Sequence, residues 1–555
     1  MQVFLCLFVY SIINLGYCAT KPNIIFLLTD DQDVTAQSLD YMPFLNEILR
    51  EGGTEFVNYF VPTGLCCPSR STILSGEFCH NTKVWDNGDL NNSTFLSGGF
   101  EKWVNESLEE MTVATIMKGA GYETFLCGKY INGYGDKHAD HVPPDWDVWI
   151  GMTDTSYFDP HFSMNGSLVK TGKKTYQTDY IRDRSLEFLK GRSDSKPFFM
   201  YVAPFAPHAP ATPAPRHEKL FSNKQAPRFN SFNPPDEVQH QKPSWLGRLP
   251  KLTEKQVEGV DNFYRNRLRS LQAVDEMLKN ITDMLDKQGI LNNTYIFYMG
   301  DNGQHLGDYR LPGGKRQGYD TDIRVPFLVR GPGVPRGLKV HEVVQSVDLL
   351  PTWADIASAV IPANKSVHVD GKSISELFQR GTADENGVNV FRYVGLAEMF
   401  GGSSNMGSTY KGLPGFEKNR FWNNTYQGIR VINGSDWAAG ANWYYAEWCT
   451  GEKEFYNLTD DPREIKNLAL SLDADLSDKL SAMLHKVGTC SGEECQHLSL
   501  PDNYKSIADS YTLPCHNPPD MSTSVEEIDV GFPFSDSDVV PHGWSYGHTW
   551  VKDLD

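Results

Sequence analysis

Short uninterrupted apolar runs, each followed at once by polar residues or glycine, recur through the N-terminal part of the chain. They are rich in β-branched and aromatic residues, which is typical of strands buried on both faces of a parallel or mixed sheet. The predicted strands cover residues 23–29, 56–60, 123–127, 197–203 and 294–299. Because open α/β sheets bind ligands beyond the carboxyl ends of their strands, the residues that follow these runs are candidate site positions.

A second pattern, with apolar residues three and four positions apart, predicts helices between the strands. The clearest repeat predicts a helix from near residue 263 to residue 288 and consists of Leu271, Val274, Leu278, Ile281 and Leu285. Further helices are predicted over residues 42–51, 112–118 and 473–487. Two stretches are predicted to be loops: 142–160, which is rich in proline and tryptophan, and 225–249, which has no clear period. Strands that alternate with helices indicate an α/β fold.

At 555 residues the chain is too long for one compact core, which predicts one large and one small domain. The pattern changes near residue 386, where short aromatic runs at 428–432, 443–448 and 454–458 predict an antiparallel sheet. The predicted organisation is a large domain over residues 20–385, a smaller α+β domain over 386–498 and an acidic, aromatic tail over 499–555.

Residues 1–19 predict a secretory signal peptide, because an apolar run there ends in the small residues of a cleavage site. A buried first strand is the alternative, but Lys21-Pro22 breaks the chain directly afterwards. Export agrees with many Asn-x-Ser/Thr sequons. These are at Asn91, Asn92, Asn105, Asn165, Asn280, Asn292, Asn364, Asn423, Asn433 and Asn457. Cys490 and Cys495 are close enough in sequence for a local disulfide, and the other pairings stay open.

The formal net charge of −19 at pH 7 argues against nucleic acid as a partner, because nucleic acids select basic patches. The same charge argues against long-range attraction to a highly sulfated polymer. An anionic substrate would therefore need a local pocket of cations. After residue 19 no apolar run reaches the length of a membrane span.

Oxygen-bearing side chains directly follow two of the predicted strands. Asp30 and Asp31 follow the first strand, and Asp301 and Asn302 follow the strand at 294–299. Two adjacent acids are usually a solvated turn, but the carboxyl end of a buried strand is where α/β sheets bind ligands. Carboxylate and amide oxygens suit the hard cations Ca²⁺ and Mg²⁺ and not zinc or copper. The set predicts one divalent-ion site, with Ca²⁺ preferred over Mg²⁺.

The stretch Cys66-Cys67-Pro68-Ser69-Arg70 is an unusual composition for a purely structural loop. Residues 69–74 predict the first turns of a helix, so Cys66 would lie just before a helix N-terminus, where backbone N–H groups favour anions. Arg70 adds a planar cation that suits a tetrahedral oxyanion. Half-cystines of a secreted protein are the alternative interpretation of the two cysteines.

Continued to Gly76, this stretch resembles the signature of the type I sulfatases, Cys-x-Pro-Ser-Arg-x-x-x-Leu-x-Gly, at every fixed position. The resemblance spans about residues 22–468. It implies an alkaline-phosphatase-like sandwich, in which a large mixed sheet is flanked by helices, plus a smaller C-terminal domain with an antiparallel sheet. It also implies that a formylglycine-generating enzyme oxidises Cys66 to formylglycine (3-oxoalanine), the catalytic nucleophile, and that the metal ion contacts this residue.

Three cationic residues in other predicted loops resemble sulfate-binding residues of the family. Lys129 belongs to a Gly-Lys pair after a predicted strand, His208 lies between prolines, and Lys315 lies in a Gly-Gly-Lys-Arg loop. On its own each would be a solvated loop residue. The resemblance implies that they hold the sulfate oxygens, and that His208 or Lys315 protonates the leaving oxygen.

The chain departs from the family at one catalytic position. Many sulfatases have Gly-Lys-x-His, with the histidine as the base for sulfate elimination, whereas Ile131 occupies that position here and Asn132 follows it. We predict His305 as the base, because residues 301–302 would anchor its loop at the metal and imidazole titrates near neutrality. The alternative is that His305 only hydrogen-bonds the sulfate or orders the loop.

The sequence therefore predicts a secreted or lysosomal sulfuric-ester hydrolase of the arylsulfatase type, with N-acetylglucosamine-6-sulfatase as the alternative. Residues 128–132 and 301–305 resemble fungal and algal arylsulfatases and N-acetylglucosamine-6-sulfatases. A phosphate or phosphonate ester hydrolase of the same superfamily is disfavoured, because that branch uses a serine or threonine nucleophile and two zinc ions. An inactive glycan-binding homologue with an unmodified Cys66 would not need the full set of catalytic partners.

Overall fold

The computed structural model describes residues 21–88, 97–362, 369–380, 387–401 and 424–514. The predicted signal peptide, the sequons at Asn91, Asn92, Asn364 and Asn423, and residues 515–555 of the predicted tail lie outside these ranges. Within them the strands form a large sheet, a small two-stranded sheet and a four-stranded sheet.

The large sheet has ten strands and is mixed. In chain order the strands of the three sheets are β1 (Asn23–Thr29), β2 (Thr54–Phe56), β3 (Tyr59–Phe60), β4 (Glu123–Gly128), β5 (Val148–Asp154), β6 (His161–Met164), β7 (Ser167–Lys170), β8 (Phe198–Ala203), β9 (Thr294–Gly300), β10 (Phe327–Arg330), β11 (Leu338–Val340), β12 (Val344–Gln345), β13 (Val394–Met399), β14 (Tyr426–Ile432), β15 (Asn442–Trp448) and β16 (Lys453–Asn457). The order across the large sheet is β11-β2-β10-β9-β1-β8-β4-β5-β6-β7. Its centre, from β9 to β5, is parallel, whereas β10 and β6 run antiparallel to their neighbours.

β1 lies near the centre of this sheet and is buried along its whole length. Its side chains alternate between two hydrophobic layers, as the two-residue period of a strand requires. Ile24, Phe26 and Leu28 pack into the first layer, and Ile25 and Leu27 pack into the second. Burial on both faces explains why this run is apolar without alternation.

Helices cover both faces of the large sheet, which confirms the predicted α/β sandwich. Among the described residues, the α-helices of seven or more residues are α1 (Cys66–Ser75), α2 (Gly99–Asn105), α3 (Val113–Gly119), α4 (Gln177–Gly191), α5 (Glu254–Lys287), α6 (Leu349–Ile356), α7 (Ala474–Thr489) and α8 (Tyr504–Ser510). The first layer contains apolar side chains of α1, α3 and α6. The second contains those of α4 and α5. The helix predicted over residues 42–51 is a short α-helix, Pro43–Leu45, continued by a π-helix, Asn46–Glu51.

The four-stranded sheet runs in the order β13-β14-β15-β16 and is antiparallel throughout. Apolar side chains of α7 pack against it in a separate hydrophobic cluster. The predicted C-terminal antiparallel sheet is therefore confirmed, and the helix predicted over residues 473–487 is confirmed as α7. The predicted domain boundary near residue 385 stays a prediction.

Buried contacts join the C-terminal part of the chain to the loop that carries Lys315. The side-chain nitrogen Nδ2 of Asn424 donates to the carbonyl oxygen of Arg316 at 3.2 Å. Gly318 lies against Tyr444 so closely that an added Cβ would come within 1.9 Å of the tyrosine hydroxyl oxygen. The C-terminal sheet therefore supports this loop directly.

Two predicted segments differ from the structure because glycine or polar residues interrupt their apolar patterns. The loop predicted over residues 142–160 is wrong, since β5 crosses it within the large sheet. Only the middle of β5 is buried, and Gly151 and Thr153 break its apolar run. The single strand predicted over residues 56–60 is divided into β2 and β3, with Val57-Asn58 between them.

The helix predicted to start near residue 263 begins earlier, at Glu254. Thr253 caps it, accepting from the N–H of Gln256, whose side chain in turn accepts from the Thr253 N–H. This capping box satisfies N–H groups of the first turn, so the helix extends beyond its apolar stripe.

The predicted disulfide between Cys490 and Cys495 is present. Cys449 is also disulfide-bonded. In the described ranges the free cysteines are Cys66, Cys67, Cys79 and Cys127, all buried. Among the helices of those ranges, none is both long enough and apolar enough to cross a bilayer.

Candidate active site

β1 and β9 pair in parallel along their whole lengths, so the polar residues that follow them meet at one sheet edge. The Asp31 N–H donates to Asp301 Oδ1 at 2.9 Å, and Asn302 Nδ2 donates to Asp31 Oδ1 at 2.7 Å. Asp31 has a φ of 65°, in the left-handed region that aspartate adopts more readily than most residues. The structure thus brings Asp30, Asp31, Asp301 and Asn302 together, and all four are buried.

α1 begins at Cys66 itself and not at residue 69 as predicted. A proline in the first turn lacks only an N–H that has no partner within the helix, so the helix can extend before it. Cys66 Sγ lies 3.6 Å from Asp30 Oδ1 and 3.9 Å from Asp31 Oδ1. Every residue of α1 is buried, and Ser69 Oγ donates to the carbonyl oxygen of Asp301. The helix N-terminus therefore meets the ends of β1 and β9.

Two lysines contact Cys66 and the carboxylates that follow β1. Lys129 Nζ is 2.5 Å from Asp30 Oδ2. Lys315 Nζ is 2.7 Å from Cys66 Sγ and also donates to Asp31 Oδ1. The structure thus places both predicted sulfate-binding lysines at Cys66 or at its carboxylate neighbours.

Lys129 reaches the cluster because β4 ends at a glycine. Gly128 has a φ of 121°, and a Cβ at this position would lie 2.0 Å from the carbonyl oxygen of Ala203 on β8. Only glycine fits this approach, which explains the Gly-Lys pair found in the sequence.

Arg70 and His208 complete the site beside the two lysines, and burial lowers the pKa of His208. His208 Nε2 lies 3.6 Å from Asp31 Oδ2. His208 Nδ1 lies 2.8 Å from the carbonyl oxygen of Ala209, which only accepts, so Nδ1 carries a proton. Arg70 Nε donates to Asp301 Oδ2 at 2.8 Å, and both side chains are fully buried. Arg70 therefore fixes Asp301.

Burial and charge oppose each other at these groups. Burial raises the pKa of the Cys66 thiol to about 12, although Lys129 and Lys315 act in the opposite direction. Burial would raise the pKa of Asp31, but Lys315 and His208 outweigh it and the pKa is lowered. Burial would lower the pKa of Lys315, but Asp31 outweighs it and the pKa is raised. At neutral pH the thiol is protonated, while Asp31 and Lys315 are charged.

The cluster has the donor chemistry of a metal site. Asp30, Asp31, Cys66 and His208 each offer a ligand atom, and these atoms all lie within 4.8 Å of one another. Asn302 Oδ1 is buried and has no hydrogen-bond partner among the described residues. A buried carbonyl oxygen without a partner is unfavourable unless something binds it. The residues present therefore fit a metal ion.

Asp301 differs from the other predicted metal ligands in the hydrogen bonds that its carboxylate accepts. Its Oδ1 accepts from the N–H groups of Asp31 and Asn302, and its Oδ2 accepts from Arg70. Both oxygens already have protein donors, so Asp301 orders the ends of β1 and β9. Its role as a metal ligand stays a prediction.

His305 contacts Asp322 and the loop that carries Lys315. Its Nδ1 lies 3.0 and 3.1 Å from the two carboxylate oxygens of Asp322, and its N–H donates to the carbonyl oxygen of Gly314 at 3.0 Å. Its Nε2 is buried, and in the described part of the chain it has no hydrogen-bond partner. Ile131 packs in the first hydrophobic layer and offers no polar group. The role of His305 as a base stays a prediction.

Arg267 on α5 is a supporting residue that the sequence analysis misses. Its Nη2 donates to the carbonyl oxygen of Asp31 at 2.6 Å, and its Nη1 donates to Gln304 Oε1 at 2.6 Å. It is only 1% exposed. The one available signal is its position four residues before Leu271, which places a charge on the apolar face of the helix.

The sequence model of the family named Sulfatase matches residues 22–359. The chain belongs to the sulfatase family. This sulfatase is 36% identical over 496 residues to N-acetylglucosamine-6-sulfatase of Homo sapiens, and the match covers 86% of each chain. It is 31% identical over 537 residues to an arylsulfatase of Volvox carteri, with 89% of this chain and 79% of the relative covered.

The fold of this sulfatase matches a solved structure of a protein in complex with its substrate, D-glucosamine-2-N,6-O-disulfate. The TM-score is 0.64 at 22% identity, and the match covers 84% of this chain and 97% of the other. The predicted family and fold class are confirmed. The protein is an enzyme that hydrolyses sulfate esters, as predicted.

Proposed function

We propose that this sulfatase carries formylglycine at position 66 and uses its hydrate as the nucleophile. The observation that carries the proposal is the place of Cys66, first in a buried helix, with Lys315 Nζ 2.7 Å from its sulfur. An unmodified thiol suits the role poorly, because its pKa is about 12 and the thiolate is the nucleophilic form. A formylglycine-generating enzyme is the maturation partner that this proposal requires.

Ca²⁺ is the ion that we propose for the cluster. Asp30, Asp31, Asn302 and residue 66 would hold it, with Asp301 as the further predicted ligand. Ca²⁺ accepts irregular sets of carboxylate and amide oxygens, whereas Mg²⁺ demands near-ideal octahedral geometry. When bound, the ion polarises a sulfate oxygen and favours ionisation of the nucleophilic hydroxyl. Asn302 Oδ1, to which no described residue donates a hydrogen bond, supports this assignment.

In the first step, one hydroxyl of the hydrate attacks sulfur while the bond from sulfur to the alcohol oxygen breaks. The hydroxyl gives up its proton, and the departing oxygen takes one up. Lys129 and Lys315 neutralise charge on the sulfate oxygens. His208 Nε2 faces the cluster and is a proton donor to the alcohol when protonated. The products are the alcohol and a sulfate ester on residue 66.

In the second step, the remaining hydroxyl of residue 66 loses its proton and the bond from carbon to the sulfate oxygen breaks. The aldehyde re-forms, sulfate leaves as the dianion while the accepting group keeps the proton, and addition of water restores the hydrate. A side chain with a single hydroxyl could not complete this step, because its sulfate ester has no second hydroxyl. Ile131 cannot accept the proton, so another group must.

We expect His305→Ala to cleave one equivalent of aryl sulfate in a burst and then to stall with sulfate attached to residue 66. The reason is that His305 Nε2 is buried beside the Lys315 loop and has no hydrogen-bond partner within the described ranges, so it can accept a proton. Rapid mixing measures the burst, and intact-protein mass measures the sulfated intermediate.

Asp322→Asn is the matched control for that variant, because it keeps the shape that contacts His305 Nδ1 but removes the charge. It should slow the same second step by a smaller factor. Loss of the burst would assign His305 to binding or to the first step. Unchanged steady turnover would remove it from the mechanism.

The substrate class that we propose is small sulfate monoesters. Aryl sulfates are one candidate, and 6-sulfated N-acetylglucosamine at chain ends is the other, which the human relative's name supports. Rates on an aryl sulfate, on N-acetylglucosamine-6-sulfate and on an aryl phosphate separate the alternatives. We expect turnover of the sulfates and little turnover of the phosphate. A preference for the phosphate would favour the phosphatase branch.

We expect internal sulfate groups of intact heparan sulfate to be poor substrates. The net charge of −19 repels a polyanion over distance, and the sequence has no long basic region. Chain length and sulfate release after incubation at several salt concentrations provide the measurement. Efficient internal desulfation that weakens steeply with added salt would contradict the expectation.

We propose that the protein enters the secretory pathway and carries N-linked glycans, with extracellular space, periplasm or lysosome as destination. Among the described sequons, Asn105, Asn165 and Asn292 are exposed. The amide nitrogens of Asn280 and Asn457 already donate to Glu276 and Asp460, respectively. The exposed three are therefore the better candidates for modification.

A further inference from the structure

Asp86 and Asn87 are adjacent residues that no motif marks, and each contacts a different part of the site. Asn87 Oδ1 accepts a hydrogen bond of 2.9 Å from the N–H of Cys67, the second residue of α1. Asp86 Oδ1 accepts a hydrogen bond of 2.8 Å from Nη2 of Arg316, which directly follows Lys315. One dipeptide therefore reaches both the nucleophile helix and the loop that carries Lys315.

The backbone of Asp86 is itself held in place. Its N–H donates to the carbonyl oxygen of Ser97 at 3.1 Å, and its own carbonyl accepts from the N–H of Gly99 at 3.1 Å. The residue is 5% exposed. A fixed backbone lets the side chain act as an anchor for its partner.

Arg316 has a φ of 90°, in the left-handed region that residues with a side chain avoid. Its N–H donates to the carbonyl oxygen of Gly64 at 2.9 Å, and its carbonyl accepts from Asn424. Its ion pair with Asp86 is buried, with side-chain exposures of 8% and 6%. Such a conformation persists only where the surroundings over-determine it. These contacts therefore hold the loop, and with it Lys315, in one place.

We propose that Asp86 and Asn87 are positioning residues that set the approach of Lys315 to residue 66. They act through Arg316 and through the backbone of Cys67, and they need touch neither the substrate nor the reacting atoms. The proposal rests on the proposed function in one respect, the role given to Lys315 at residue 66. Misplacement of a catalytic group by about 1 Å is enough to lower turnover on the order of 10²-fold.

A double-mutant cycle with Lys315 tests this proposal in the full-length enzyme. Asp86→Asn keeps the side-chain shape but removes the charge that holds Arg316. We expect it to lower kcat for an aryl sulfate on the order of 10²-fold with little change in KM. In a Lys315→Ala background the same substitution should have almost no further effect, because the group that it positions is gone.

Substitutions of Asn87 provide a second, independent test of the proposal. Asn87→Ala removes the acceptor for the Cys67 N–H and should lower kcat about fivefold, the scale of one hydrogen bond. Asn87→Asp keeps an acceptor and should restore kcat. Asp348→Asn is the control, because Asp348 forms a buried ion pair of the same kind with Arg392 instead of Arg316. It should lower the thermal midpoint but show no coupling to Lys315→Ala.

Wild-type kcat in Asp86→Asn, or equal losses with and without Lys315, would overturn the proposal. If Asp86→Asn does not fold, the Asn87 test decides: failed rescue by aspartate, or additivity with Lys315→Ala, overturns it. A mass spectrum of the Cys66 peptide tests the proposed function separately. An unmodified thiol in active wild-type enzyme would remove formylglycine from the mechanism but leave the coupling measurable.

Discussion

Replacing Cys66 by alanine is expected to abolish turnover of every sulfate ester, with a loss of at least about 10⁴-fold in kcat, the scale seen when a nucleophile is removed. Alanine cannot be converted to an aldehyde, so no hydrate forms at the position that Lys315 and the carboxylates surround. Steady-state rates on an aryl sulfate measure the loss, and reaction with a hydrazide measures the aldehyde in the wild type.

Cys67→Ala is the matched control for this substitution. The Cys67 side chain packs in the first hydrophobic layer. Only its backbone N–H, which alanine keeps, contacts Asn87. The variant should retain turnover and lose about 1 kcal/mol of stability, the scale of a small buried group. A Cys66→Ala enzyme that still turns over, or a Cys67→Ala enzyme that does not, would contradict the assignment of the nucleophile.

Removal of the metal ion is expected to have the second largest effect. A bound divalent ion supplies several kcal/mol of charge stabilisation, so chelation should lower kcat by at least about 10³-fold. Added Ca²⁺ should restore the kcat of the chelated wild-type enzyme. The Asp31→Ala variant should not regain activity with added Ca²⁺, because the carboxylate that it lacks is one of the ligand groups within 4.8 Å of Cys66 and His208. Metal analysis by mass spectrometry, together with rates, provides the measurement.

Asp33→Asn is the control for the metal experiment. Asp33 lies two residues further along and is equally buried, but its carboxylate accepts from the Ala36 N–H at 2.6 Å instead of joining the cluster. Its other oxygen lies 3.2 Å from Arg267 Nη2, and asparagine keeps the shape of the side chain and a side-chain oxygen but not the charge. This variant should keep its ion and most of its activity. Two zinc ions per chain in the active wild type would contradict the calcium proposal.

The sequence predicts well what depends on local pattern. β1, β8 and β9 are apolar on both faces, so they stand out as runs, and the acids after β1 and β9 follow from parallel pairing. β5 escapes prediction because Gly151 and Thr153 interrupt its run. A strand whose place is decided by its neighbours in a sheet has no such local signal.

The catalytic cluster is predictable only in part. Cys66 and Lys315 are recognised by their short motifs, although 249 positions separate them. Asp86, Asn87 and Arg267 belong to no motif, and their contacts depend on loops and a helix face that the fold brings together. Residues that act by positioning another residue of the chain give no recognisable pattern of spacing or composition in the sequence.

Because the Lys315 loop packs against the C-terminal four-stranded sheet, the catalytic part of this enzyme cannot be separated from that sheet without loss. Asn424 holds the carbonyl of Arg316, and Tyr444 fills the space beside Gly318. A fragment that ends near residue 385 would keep Cys66 and the acids but lose the surface on which the lysine rests. The four-stranded sheet therefore cannot be exchanged on its own. Replacing it with that of a relative would change catalysis unless the Lys315 loop and the residues that contact it were replaced together.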